Sequence, residues 1–248
     1  MLVSSVQKLI FSTTDAVAQA VADRIAEVIR SKPAVVLGLA TGGTMEPVYA
    51  RLVAAFQKGE VSFAGVTSFN LDEYAGLSAS HPGSYRSTMN RLLFDHVDID
   101  KERTFLPEAS PGAPDKAGEH YERMIAEAGG IDLLLLGIGR NGHIGFNEPG
   151  SVEDSRTRLV ELHQDTLEAN ARFFSDQPVP ATAITMGIGT ILSAKQIALM
   201  ATGASKQDAI RRATGGGFQI DCPASALQKH GDVRWFLDTA AAGLPMAA

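Results

Sequence analysis

The sequence predicts a doubly wound, Rossmann-like α/β fold, in which a mostly parallel β-sheet carries helices on both faces. Three observations carry this reading. Short continuous apolar runs recur along the chain, each bounded by glycine or polar residues, which is how strands buried on both faces read. Longer segments between them repeat apolar residues at helical spacing. The regular alternation of the two implies right-handed βα crossovers, and these place every strand's carboxyl end on one edge of the sheet.

Taken in order, Gln7 to Ser12 is a first strand, and Thr13 or Thr14 caps a helix with Val17, Val21, Ile25 and Val28 on one face. Pro33 ends that helix. Val35 to Ala40 is a second buried strand running directly into Thr41, Gly42, Gly43 and Thr44, with Pro47 near the first turn of a helix that extends to about Lys58. Val66 to Leu71 is a third strand, delivering Asp72 and Glu73 just past its carboxyl end. A turn at His81, Pro82 and Gly83 precedes a helix from near Tyr85, with Met89, Leu92, Leu93 and His96 sharing a face. Asp115 to Ala128 forms another helix, closed by Gly129 and Gly130.

The run from Ile131 to Ile138 reads as the most buried strand of all. After it, Arg158 to Leu162 is a short strand, and Asp165 caps a helix carrying Arg172. Ser175 to Pro180 is rich in turn residues, and Pro178 with Pro180 marks residues 162–182 as a segment expected to sit over the sheet and move as a lid. A helix then begins at the second glycine of Met186-Gly187-Ile188-Gly189. Gln196 to Ala201 is a strand, followed by Thr202 to Lys206 and the helix of Ile210. Ser225 to Lys229 and Val233 to Leu237 complete the pattern.

No linker divides the 248 residues, so residues 1–248 read as a single domain. Lys and Arg number 22 against 28 Asp and Glu, a net charge of −6, which argues against nucleic acid or an anionic membrane as partner. The N-terminus lacks the basic and apolar regions of a signal peptide and no run is long enough to span a bilayer, so a cytoplasmic location is expected. Cys222 is the only cysteine; it excludes an intrachain disulfide and any Cys-based metal cluster.

The chemistry gathers at strand ends. Thr41 to Thr44 and Gly203 to Lys206 repeat one grammar of strand, glycine turn and helix, which presents free backbone N–H groups and a helix N-terminus to an anion. Asp72 leaves a buried strand as a candidate general base. Between Gly137 and Glu148, four glycines alternate with Asn141, His143, Asn147 and Glu148, too much polar chemistry for a linker. If all four features share the crevice expected at the carboxyl edge, the inventory fits a phosphorylated small molecule undergoing proton transfer. One histidine is too few for a usual zinc site, so no metal is expected. The GxSxG fingerprint is absent.

These residues also resemble a known family. LGLATGGT, FNLDEYAGL with HPGSYR, and above all GIGRNGHIGFNEPGS are similar to the glucosamine-6-phosphate deaminases, over about Val35 to Lys206. The resemblance implies conversion of glucosamine 6-phosphate and water to fructose 6-phosphate and ammonia, with no cofactor. It makes Asp72 the base at C2, His143 the group that opens the pyranose ring with help from Glu148 and Asn141, and Thr41, Gly42, Gly43, Thr44, Arg172 and Lys206 the phosphate holders. Many members carry Asp where this chain has Asn141, so Glu148 is expected to supply the charge; its loss should be severe and Asn141→Asp mild. Val152 and Val160 stand where activated members hold their activator, so allosteric activation is not expected, and a monomer or small homo-oligomer is. Alternatives are deamination of galactosamine 6-phosphate, a 6-phosphogluconolactonase, and a non-catalytic sugar-phosphate sensor. The sensors carry an N-terminal helix-turn-helix, for which the roughly 30 residues before the first glycine turn leave no room.

Overall fold

The computed structural model describes residues 6–108, 114–171, 174 and 178–245. Its main sheet has seven strands, all paired in parallel: β1 (Gln7–Phe11), β2 (Val36–Leu39), β3 (Thr67–Asn70), β5 (Thr104–Phe105), β6 (Leu133–Gly137), β9 (Ile197–Ala201) and β10 (Val233–Asp238). Their order across the sheet is β1-β10-β9-β6-β2-β3-β5. The strands that read as continuous apolar runs lie in the middle; Leu133 to Leu136 and all of β2 and β9 are buried.

From β2 the chain lays down β3 and β5 in one direction, and from β6 it lays down β9 and β10 in the other. Right-handed crossovers then put α1 (Thr14–Ser31), α2 (Glu46–Gln57) and α3 (Tyr85–Met89) on one face, and α4 (Pro114–Glu127), α6 (Ile188–Leu192) and α7 (Gln207–Thr214) on the other. The reversal leaves a crevice between the carboxyl ends of β2 and β6, where doubly wound folds bind ligands. Capping follows the sequence signals. The Thr13 hydroxyl accepts the Ala16 N–H at 3.1 Å, and α1 turns Val17, Val21, Ile25 and Val28 into the core. Of the described residues, no helix is long and apolar enough to cross a membrane.

A second, three-stranded antiparallel sheet was not anticipated. It joins β4 (Asp72–Tyr74), β8 (Thr182–Thr185) and β7 (Arg158–Glu161) in the order β4-β8-β7. Asp72 and Glu73 therefore belong to a strand rather than a turn. Only Leu71 separates β3 from β4; its N–H donates to Leu39 and its carbonyl accepts from Met186 at 2.7 Å, so it links the two sheets. Tyr74, Phe146, Leu162, Phe174 and Ala183 form a small separate core beside this sheet.

Other details also differ. The segment at 162–182 is anchored at both ends, since Leu162 donates to Ala181 at 2.8 Å and Thr182 opens β8. Its helix α5 (Gln164–Asn170) starts one residue before Asp165, which thus stands inside the first turn, while Arg172 lies outside the described residues. Helix α6 starts at Ile188 with Gly187 as its cap; a Cβ at position 187 would fall 2.1 Å from the Ser155 carbonyl oxygen, which holds this position to glycine. The helix from Tyr85 is short and continues as a π-turn over Asn90–Phe94.

Candidate active site

The turns at the carboxyl ends of β2 and β6, together with β4 and the turn after β9, surround a cavity of about 720 Å³. On one wall stand Thr41, Gly42 and Thr44, leading into α2 with Pro47 in its first turn; Gly43 belongs to the same turn without facing the cavity. Opposite, the 3₁₀ turn Ala204–Lys206 brings in Lys206, whose ammonium donates to the Ile138 carbonyl at 2.6 Å. Burial and the nearby Arg140 lower its pKa, so an anion seated beside it would be welcome. Asp238, ending β10, holds this turn through the Gly203 N–H at 3.0 and 2.9 Å.

The adjacent carboxylates Asp72 and Glu73 are separated by strand alternation. Glu73 accepts the N–H groups of Tyr85 at 2.9 Å and Arg86 at 2.8 Å, and so anchors the start of α3. Asp72 faces the cavity, only 6% exposed. Burial, reinforced by the charge of Glu73, pushes its pKa up to about 8. The loop after β6 comes close to it at Gly145, whose φ is +56°; a Cβ there would lie 2.9 Å from Thr185 Oγ1 and 3.5 Å from Asp72 Oδ2. Glycine alone allows that approach.

His143 lines the cavity from the same loop, its ring laid across Gly139, where any Cβ would fall within 2.5 Å of three ring atoms. Glu148 does not line this cavity; it stands behind the imidazole, with Oε2 3.3 Å from Nδ1, an ion-pair contact rather than an aligned hydrogen bond. Asn141 reaches the pair through Glu148, donating from Nδ2 to Oε2 at 2.7 Å, and its Oδ1 accepts the backbone N–H of His143 at 3.1 Å. The Thr166 hydroxyl donates to Oε1 at 2.6 Å. Burial alone would raise the pKa of Glu148, but His143, Thr166 and Asn141 together outweigh it and bring the value down to about 2. The carboxylate beside His143 therefore stays ionised where Asp72 holds its proton.

Sequence reasoning missed Arg140 and the cavity-facing residues of α5, Thr166, Glu168 and Asn170. Asn147, from the same motif, is structural: it donates to the carbonyls of Ile144 and Met186, both at 2.8 Å, and accepts from Arg158 at 2.9 Å. Arg158 borders a second, shallower depression together with Ser151, Val152 and Val160. Among the described residues, no group of three or more His, Cys, Asp or Glu side chains is placed to hold a metal ion.

The profile of the family described as glucosamine-6-phosphate isomerases/6-phosphogluconolactonase matches residues 11–235. The glucosamine-6-phosphate deaminase of Rhodopirellula baltica is 56% identical over 225 residues, 90% of either chain. That of Shewanella loihica is 55% identical over 237 residues, 95% of this chain and 88% of its own. A solved monomeric glucosamine-6-phosphate deaminase is similar with a TM-score of 0.92 and 45% identity, over 96% of this chain and 100% of that one. The 6-phosphogluconolactonase of Trypanosoma brucei shares the fold, with a TM-score of 0.75 at 20% identity over 96% of this chain and 98% of its own.

Proposed function

The chain belongs to the family of glucosamine-6-phosphate isomerases and 6-phosphogluconolactonases, and on that premise we propose that it converts glucosamine 6-phosphate and water to fructose 6-phosphate and ammonia. One observation carries the choice of reaction. Two proton-handling units of opposite character face one cavity, a dry carboxyl at Asp72 and an imidazole backed by an ionised carboxylate at His143 and Glu148.

In this reading Thr41, Gly42 and Thr44 hold the phosphate with Lys206, in a turn shaped by Gly43; Arg172 completes the set. His143, oriented by Glu148, moves the C1 hydroxyl proton to the ring oxygen and opens the sugar. The ammonium on C2 favours the ionised form of Asp72. The resulting aldehyde acidifies the C2 proton, which Asp72 removes to leave an enolamine and then returns at C1. Water adds to the C2 imine and ammonia leaves. The protein supplies only placed acids and bases, and the reaction needs no cofactor.

Regulation and assembly follow the same comparison. Arg158 already donates to Asn147, and two valines border its depression, so we infer no activation by N-acetylglucosamine 6-phosphate. The likeness to a monomeric deaminase supports a monomer or small homo-oligomer. A single buried cysteine fits action in the cytoplasm.

The test is release of ammonia and ketose from glucosamine 6-phosphate by purified protein, with galactosamine 6-phosphate and 6-phosphogluconolactone in parallel. Equal amounts of ammonia and fructose 6-phosphate from the gluco substrate are expected. Lactone hydrolysis without release of ammonia would assign the chain to the other branch of its family.

A further inference from the structure

We propose that Thr166 is a positioning residue for the His143–Glu148 pair: its hydroxyl, delivered by α5, fixes Oε1 of Glu148 so that Oε2 stays against the imidazole. The inference deepens the proposed function and rests on it.

A glutamate side chain has three torsions to lose, and it orients an imidazole only if both oxygens are held. Oε2 is shared between the Asn141 amide at 2.7 Å and His143 Nδ1 at 3.3 Å. Among the described residues, Oε1 has one hydrogen-bond donor, Thr166, at 2.6 Å. Thr166 is itself 7% exposed and its N–H donates to the His163 carbonyl at 2.9 Å, so the hydroxyl is aimed from a fixed backbone. It arrives on the helix that also presents Glu168 and Asn170 to the cavity. The hydrogen bond thus ties α5 to the proton-handling pair, and movement of α5 changes how Glu148 addresses His143. Among the described residues, the other titratable and charged groups lining the two depressions around the pair are Asp72 from β4, Tyr85 from α3, Arg140 from the site loop, Glu168 from α5 and Lys206 after β9, with Arg158 and Glu161 of β7 on the outer side of Glu148.

The test compares Thr166→Val, which keeps the shape, with Thr166→Ser, which keeps the hydroxyl, both in the full chain. Loss of the hydrogen bond should lower kcat about 10- to 100-fold with KM within about threefold, because orientation of a proton-transfer group is affected while the cradle is untouched. The serine variant should recover most of the rate. A valine variant with wild-type kcat, one in which only KM rises, or a serine variant as slow as the valine would overturn the role. A second readout is independent of turnover. Carbon NMR of the Glu148 carboxyl in the empty chain should show its titration moved up by about one unit in the valine variant. An unmoved titration overturns the proposal even if the chain deaminates; a moved one supports the hydrogen bond even if the reaction assignment fails.

Discussion

Asp72 shows at one residue how the site is built against the fold's own stability. Its carboxyl is held in a dry position at the start of β4, where the pKa rises from 3.8 to about 8 through burial and the neighbouring Glu73. Between those values the unfolded chain has released the proton while the folded chain keeps it. The unfolded state then binds fewer protons, so this group makes stability fall as pH rises across that window. Asn keeps the shape and removes the titration. Asp72→Asn should therefore match the wild type in denaturant unfolding near pH 4 and exceed it by about 2–5 kcal/mol at pH 8. The same variant should lose about 10³-fold or more in kcat, since an amide in that position cannot take the C2 proton. A variant equally stable at both pH values would show that Asp72 titrates normally.

At the scale of elements, the decisive unit is the small antiparallel sheet, which holds the two halves of the site in register. Thr185 on β8 pairs with Asp72 on one side and Arg158 on the other, and its Oγ1 accepts the N–H of Phe146 at 3.1 Å from the loop that carries His143. Thr185→Val keeps the volume but strands that buried N–H, a cost of about 1–3 kcal/mol. Thermal melting should fall by about 3–10 °C with kcat reduced, and Thr185→Ser should restore both. An unchanged melting temperature in the valine variant would mean that the loop finds its place without β8. This sheet is also what the sequence hid. The parallel strands could be read because each is a continuous apolar run between helices, whereas Asp72-Glu73-Tyr74 is three residues long with two acids. Its partner in β8 lies more than a hundred positions along the chain, behind a stretch rich in turn residues. Asp72, His143 and the glycine turns stood out because glycine and polar residues at strand ends are locally unusual. Thr166 and Asn170 carried no such mark, and only folding brings α5 to the cavity.

At the scale of the whole molecule, the described groups suited to an anion gather around one cavity, and from this we infer how the kinetics should behave. Around the cavity, Lys206 and Arg140 stand beside threonine hydroxyls and a helix start, in a chain of net charge −6 that otherwise repels phosphates. Around the second depression the guanidinium of Arg158 holds Asn147 Oδ1 at 2.9 Å and Ser151 Oγ at 3.3 Å, and so braces side chains of the site loop. Val152 and Val160 offer nothing to an anionic activator there. Allosteric coupling requires a second ligand with different affinities for two global states, and a depression whose described lining offers one cation, Arg158, already bonded to Asn147 and Ser151, gives a phosphosugar little with which to distinguish them. Initial rates against glucosamine 6-phosphate should therefore follow a hyperbola with a Hill coefficient of about 1, and millimolar N-acetylglucosamine 6-phosphate should leave half-saturation unchanged. Sedimentation at assay concentration should show a monomer or small oligomer that does not grow when the substrate is added. Sigmoidal rates that become hyperbolic with the acetylated sugar would require a receptor assembled from more than one copy of the chain, with Arg158 released from Asn147 to serve it.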